Sequence, residues 1–169
     1  MKIDAGLTWQ LDRAGDEARR LEEMGYAGLK SIETAHDPFL PLVAAAESTR
    51  EIDLITGIAV AFARSPMTVA NVGHDLNAAS NGRFVLGLGS QIKPHIEKRY
   101  SMPWSSPAAR MREFILAMRA IWATWHTGEP LEFIGKFYKH TFVSSGYCPE
   151  CFSGLINEAA AVHEMQAAA

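Results

Sequence analysis

His36 is the residue in this chain best suited to move a proton. Histidine has an ordinary pKa near neutrality, so a well-placed imidazole can both give and take a proton. It stands in Glu33-Thr34-Ala35-His36-Asp37-Pro38, directly after an apolar, strand-like run. The plainer reading is that His36 and Asp37 build a loop and that Asp37 caps a helix opened by Pro38. A second polar group follows Arg83-Phe84-Val85-Leu86-Gly87-Leu88-Gly89, where Ser90 and Gln91 end the run. Glycines such as Gly87 and Gly89 allow a ligand to approach the backbone, and Ser90 and Gln91 offer hydrogen bonds. The same glycines equally suit tight packing of a barrel interior. Trp9 and Trp104 can each stack on a ring or substrate, or close the core. Cys148-Pro149-Glu150-Cys151 has the spacing of redox and zinc sites but supplies only two of four ligands, so no metal is expected.

Several chemistries are excluded. No Gly-x-x-x-x-Gly-Lys-[Ser/Thr] run exists to cradle a nucleotide triphosphate. No His-x-His follows the first strand-like run, which argues against a metal-dependent hydrolase barrel. A formal net charge of −3 and no long basic stretch argue against nucleic acid as a partner. No stretch of 18 apolar residues is present for a membrane span, and the start Met1-Lys2-Ile3-Asp4 lacks a signal-peptide core. With 48% hydrophobic residues, no disulfide framework and 169 residues, one soluble cytoplasmic domain is expected.

The elements that would position these groups repeat. Strand-like runs cover 3–9, 28–33, 53–61 and 83–90, so each begins about 25 to 30 residues after the last. Between them lie helical stretches, with Asp12, Asp37-Pro38 and Ser65-Pro66 as start signals and Gly25 and Gly82 as stops. Strict strand–helix alternation predicts a parallel sheet whose ligands sit at the carboxyl ends of the strands. After the fourth strand come a loop at Met102-Pro103-Trp104 and a helix from Ser106-Pro107 to Gly128. That helix carries the apolar stripe Met111, Phe114, Ile115, Met118, Ile121, Trp122 and Trp125. Residues 131–138 read as a hairpin turning at Ile134-Gly135, and the tail from 142 is Ala-rich.

An ordered set of segments resembles the luciferase-like monooxygenase superfamily, in particular its coenzyme F-420 (deazaflavin) oxidoreductases. The segments are Gly25-Tyr26-Ala27-Gly28, Glu33 to Phe39, Thr56 to Ala61 with Arg64-Ser65-Pro66, Asn81 to Ser90, the Met-Pro-Trp loop and Phe133 to Tyr138. The resemblance covers about residues 1–141 and implies an α/β fold, a partial (βα)8 barrel of four parallel units. A complete barrel needs about 250 residues. Residues 142–169 are expected to form a divergent tail. The resemblance implies hydride transfer between coenzyme F-420 and a small organic substrate, with FMN-dependent monooxygenation as the alternative. It makes His36 the proton-transfer residue. It assigns Ala59-Val60 to a strand bulge whose non-prolyl cis peptide backs the coenzyme ring. Gly89, Ser90 and Gln91 become polar or close contacts; where some relatives have an acidic glutamate, Gln91 binds rather than donates. Trp9 and Trp104 become substrate or lid residues. Four units leave open strand edges, which predicts dimerisation, or activity only with a missing C-terminal half. A third reading is a non-catalytic half-barrel that self-associates.

Overall fold

The computed structural model describes residues 1–142; the Cys148 and Cys151 pair and most of the 142–169 tail lie outside the described residues. Four strands form one parallel sheet in the order β1 (Asp4–Gly6), β2 (Gly28–Ser31), β3 (Asp53–Thr56) and β5 (Phe84–Val85). Neighbours pair in sequence order, with Asp4 opposite Gly28, Gly28 opposite Asp53, and Leu54 opposite Phe84. The helices α1 (Leu11–Glu23), α2 (Leu40–Ser48) and α3 (Pro66–Ala79) connect them, as the alternating pattern predicts. Leu29 and Leu54 are fully buried under these helices with Leu42, Ala45, Ala18 and Leu76. The other face of the sheet is open: Lys30 and Val85 are exposed there, and Lys30 pairs with Asp4 at 3.0 Å.

Two predicted strands are broken in the structure. The third stops at Thr56, passes through a cis peptide at Gly57–Ile58, and resumes as β4 (Ala59–Val60). The fourth resumes after Leu86-Gly87 as β6 (Leu88–Gly89), which pairs with β4 in parallel. A side chain bridges the break. The Thr56 hydroxyl donates to the Gly87 carbonyl at 2.9 Å and accepts the Gly87 N–H at 2.8 Å. A Cβ on Gly87 would collide with the Thr56 carbonyl, so only glycine permits this approach.

The helix starts divide. Ser65 caps α3 in a reciprocal box with Thr68, and Pro66 follows, as read. Asp12 does not cap α1: the helix starts at Leu11, and Asp12 sits in its first turn, where a carboxylate favours the helix dipole. Asp37 does not cap α2, which begins at Leu40 with Pro41 in its first turn. Its Oδ1 instead accepts the Phe39 N–H at 2.8 Å, forming the loop.

Beyond β6 a π-helical turn, His95–Arg99, occupies part of the expected loop. The long helix α4 (Pro107–Thr127) ends at Gly128 in the left-handed conformation. Phe114, Met118 and Ile121 are buried in a second core cluster with Val60, Phe62 and Val69, while Ile115 is partly exposed and lies off the buried face. The hairpin β7 (Leu131–Ile134) and β8 (Lys139–Phe142) turns through 135–138 rather than at Ile134-Gly135. Glu113 explains the shift: its carboxylate accepts the N–H groups of Lys136, Phe137 and Tyr138 at 3.0, 2.6 and 2.7 Å.

At the amino ends of the strands, Glu22 accepts the N–H groups of Arg50, Glu51 and Ile52. Arg83 donates to the carbonyls of Ile52 and Ser80 and to the Thr49 hydroxyl. These contacts stabilise the bottom of the sheet and leave the carboxyl ends for chemistry.

Candidate functional site

The loop after β2 carries a buried carboxylate. Glu33 lies just beyond Ser31, its side chain only 4% exposed, and it is fully engaged. Oε2 accepts the Val60 N–H at 2.7 Å and pairs with the Arg64 guanidinium at 2.7 Å; Oε1 accepts the Tyr100 hydroxyl at 3.1 Å. Arg64 reaches on to Asp37 Oδ2 at 2.9 Å and to the Val60 carbonyl at 3.1 Å. Burial alone would lower the Arg64 pKa, but the two carboxylates outweigh it and hold the guanidinium above its usual value. Burial, then the nearby Glu33 charge, pushes the Tyr100 phenol up. One carboxylate thus ties together the end of β2, the strand β4 and the segment after β6. Arg99 adds a hydrogen bond to the Thr34 carbonyl.

His36 is exposed and stacks on Trp9 at the end of β1, with ring centroids 3.9 Å apart and planes 6° from parallel. The two line a cavity of about 490 Å³ with Asp12, Asp37, Leu40 and Pro41. A larger cavity of about 800 Å³ lies beyond Asp37 and Arg64, walled by Phe39, Met102, Arg110 and Tyr138. Arg110 is buried between the Phe62 and Tyr138 rings and donates to the Pro103 carbonyl and the Tyr138 hydroxyl. Burial raises the Tyr138 pKa, with the Arg110 hydrogen bond opposing it.

The remaining predicted residues are placed separately. The cis peptide is not at Ala59-Val60 but two residues earlier, at Gly57–Ile58. Ala59 and Val60 are fully buried, and their backbone groups are already bonded to Gly87, Glu33 and Arg64, so the structure does not present either residue to a ligand. A Cβ on Gly89 would come within 2.7 Å of the Ile58 side chain, which gives Gly89 a packing role against that peptide. Ser90 donates to the Gln91 carbonyl at 3.2 Å. Gln91 is held at φ 62°, and its side-chain oxygen accepts the Ile92 N–H at 3.1 Å. Trp104 packs edge-on against Phe62 at 5.7 Å. Trp9 and His36 are brought together; among the described residues neither cavity is lined by Ser90 or Gln91. No group of three or more metal-ligating side chains occurs among the described residues. None of their helices is long and apolar enough to cross a membrane.

No role for Glu33, Arg64 or Tyr100 follows from the sequence pattern alone. The available signal was Glu33 itself, an acidic residue at the end of an apolar strand, where a buried charge demands a partner.

Two glycine positions at the strand ends are open. A Cβ on Gly6 would meet nothing within 4 Å, and at Gly57 only the Lys30 stem lies near, so the sheet is bare at these strand ends. Ser90, Gln91 and His36 stand at the same carboxyl ends with polar atoms.

A family model for luciferase-like monooxygenases matches residues 4–147. The uncharacterized protein Rv1360 of Mycobacterium tuberculosis is 55% identical over 150 residues, covering 89% of this chain and 44% of the relative. Rv3520c of the same organism, provisionally named a coenzyme F420-dependent oxidoreductase, is 31% identical over 124 residues, or 71% of this chain and 35% of that protein. The FMN complex of 3,6-diketocamphane monooxygenase, from a Pseudomonas putida plasmid, superimposes with a TM-score of 0.71 at 19% identity. It covers 84% of this chain and 44% of that one. The chain therefore spans under half the length of these proteins.

Proposed function

The chain belongs to the luciferase-like monooxygenase family, and from that premise we propose that it forms part of a coenzyme F-420-dependent oxidoreductase. The fold is the first four units of a (βα)8-type barrel, and a ring-bearing cofactor of the flavin or deazaflavin type suits its bare strand ends. When bound, a reduced deazaflavin supplies a hydride, and the substrate gains that hydride and one proton. His36 is the residue proposed to hold and deliver the proton. Ser90 and Gln91 would hydrogen-bond the ring or its side chain, and the Gly57–Ile58 segment would lie against it. Trp9 and Trp104 would border the substrate. The substrate is a small organic molecule, and the cytoplasm is the proposed place of action.

The observation that carries this reading is the matched family together with open glycine positions at Gly6 and Gly57 and an exposed histidine, His36, at the carboxyl ends of the strands. The 31% identity to Rv3520c favours the deazaflavin over FMN; the likeness to the FMN complex speaks for the fold. One wall does not enclose a ring, since ligand pockets bury most of a ligand's surface. The second wall would come from a C-terminal half or a partner chain. The test is to assay this chain alone, then fused to the C-terminal half of Rv1360, for oxidation of reduced coenzyme F-420. Turnover restored only by fusion supports the reading. Tight binding and turnover by this chain alone removes the need for a second half.

A further inference from the structure

An acid–base residue must be held in one orientation, and histidine usually achieves this through a hydrogen bond to its second nitrogen. His36 does not. Among the described residues its imidazole makes no hydrogen bond and no ion pair; Asp37, its neighbour in sequence, is committed to Phe39 and Arg64. What holds the ring is the face of Trp9, 3.9 Å away and 6° from parallel. That contact uses the face of the imidazole and leaves both nitrogens at its edge free. Trp9 is itself braced. Leu7 donates to the Lys30 carbonyl at 2.9 Å, and the Thr8 hydroxyl accepts the Gln10 N–H at 3.3 Å, fixing the backbone on either side. Trp9, three residues beyond β1, is itself 55% exposed, so the stack stands at the surface rather than in the core.

We propose that Trp9 is the positioning residue for His36, setting the plane of the imidazole so that a ring nitrogen meets the substrate. This rests on His36 as the proton-transfer group. A flat aromatic face restricts the two side-chain torsions of the histidine without occupying the atoms that do the chemistry. Losing it frees the imidazole to rotate, and misplacement by about 1 Å costs about 10²-fold in rate.

The experiment compares Trp9→Leu and Trp9→Phe with the unaltered chain. The indole face shifts the carbon-bound ring protons of His36 upfield in the proton–carbon NMR spectrum. Trp9→Leu is expected to abolish that displacement, and Trp9→Phe to retain part of it. The remaining resonances report that each variant is folded. In coenzyme turnover by the chain fused to the C-terminal half of Rv1360, Trp9→Leu is expected to lower kcat by about 10²-fold, with the coenzyme Kd within about twofold. Phe is expected to rescue it, and Trp9→Leu to add nothing in a His36→Ala background. Unchanged His36 resonances in Trp9→Leu overturn the proposal. So does a parallel rise in Kd, which makes Trp9 a coenzyme contact. Full turnover in His36→Ala defeats instead the reading of His36 itself, whatever the NMR result.

Discussion

Glu33 and Arg64 form a buried ion pair at 2.7 Å, and the same Glu33 oxygen holds the Val60 N–H. The pair is 4% and 18% exposed by side chain. It sits directly between the loop that carries His36 and the strand that follows the cis peptide. Removing Glu33 leaves Arg64 with the exposed Asp37 as its remaining carboxylate partner and takes the acceptor from the buried Val60 N–H and the Tyr100 hydroxyl; breaking a buried pair typically costs about 3–5 kcal/mol. Glu33→Ala is therefore expected to lower stability by about 3 kcal/mol, read as a drop in the urea midpoint at unchanged slope. Loss within 0.5 kcal/mol would show that the pair contributes little beyond replacing water.

Gly87 is expected to tolerate no side chain. In Gly87→Ala the new methyl meets the Thr56 carbonyl, and the Thr56 hydroxyl loses its two bonds across the strand break. Overpacking of this kind costs about 1–3 kcal/mol. Gly82, with φ at 82° and open space around it, tests a different cause: Gly82→Ala should be destabilising through backbone strain, by about 1 kcal/mol. Thermal unfolding of both variants separates the two effects, since only Gly87→Ala should also disturb the β3–β6 region in amide exchange.

Stability should fall in acid partly through Glu22. Burial would raise its pKa, but three backbone N–H groups outweigh burial and hold it below the usual 4.5. A depressed folded-state pKa stabilises above the unfolded value and is lost as pH falls through the folded one. Glu22→Gln should therefore flatten the loss of stability below about pH 4.5. An acid-unfolding curve identical to that of the unaltered chain contradicts this.

His36→Ala is expected to lower coenzyme turnover by about 10²–10⁴-fold, the usual range for a general acid or base. Stopped-flow oxidation of the reduced coenzyme by the chain fused to the C-terminal half of Rv1360 checks this. Undiminished turnover takes His36 out of the reaction.

Strand order and the approximate helix positions were legible because the strand–helix period is a local signal; of the three start signals only Ser65-Pro66 coincides with a cap. Asp53 to Ala61 reads as one apolar run; Gly57 within it is the residue-type signal for a bulge, though not for the partner across the break. The break is made by Thr56 and Gly87, 31 residues apart, exchanging bonds that no local pattern encodes. Asp37 was legible as a loop former but not as a partner of Arg64, 27 residues on. The hairpin turn moved for the same reason: Glu113 captures its N–H groups from α4. His36 and Trp9 were each visible as chemistry-bearing residues, while their stacking depends on the register of β1 against β2.

The central claim is that this rim is built for a deazaflavin. Equilibrium titration with coenzyme F-420 and FMN side by side, on the chain fused to the C-terminal half of Rv1360, tests it most directly. The account predicts saturable F-420 binding at least tenfold tighter than FMN, weakened in the 169-residue chain alone. Tighter binding of FMN, or no binding of either by the fused protein, would contradict it.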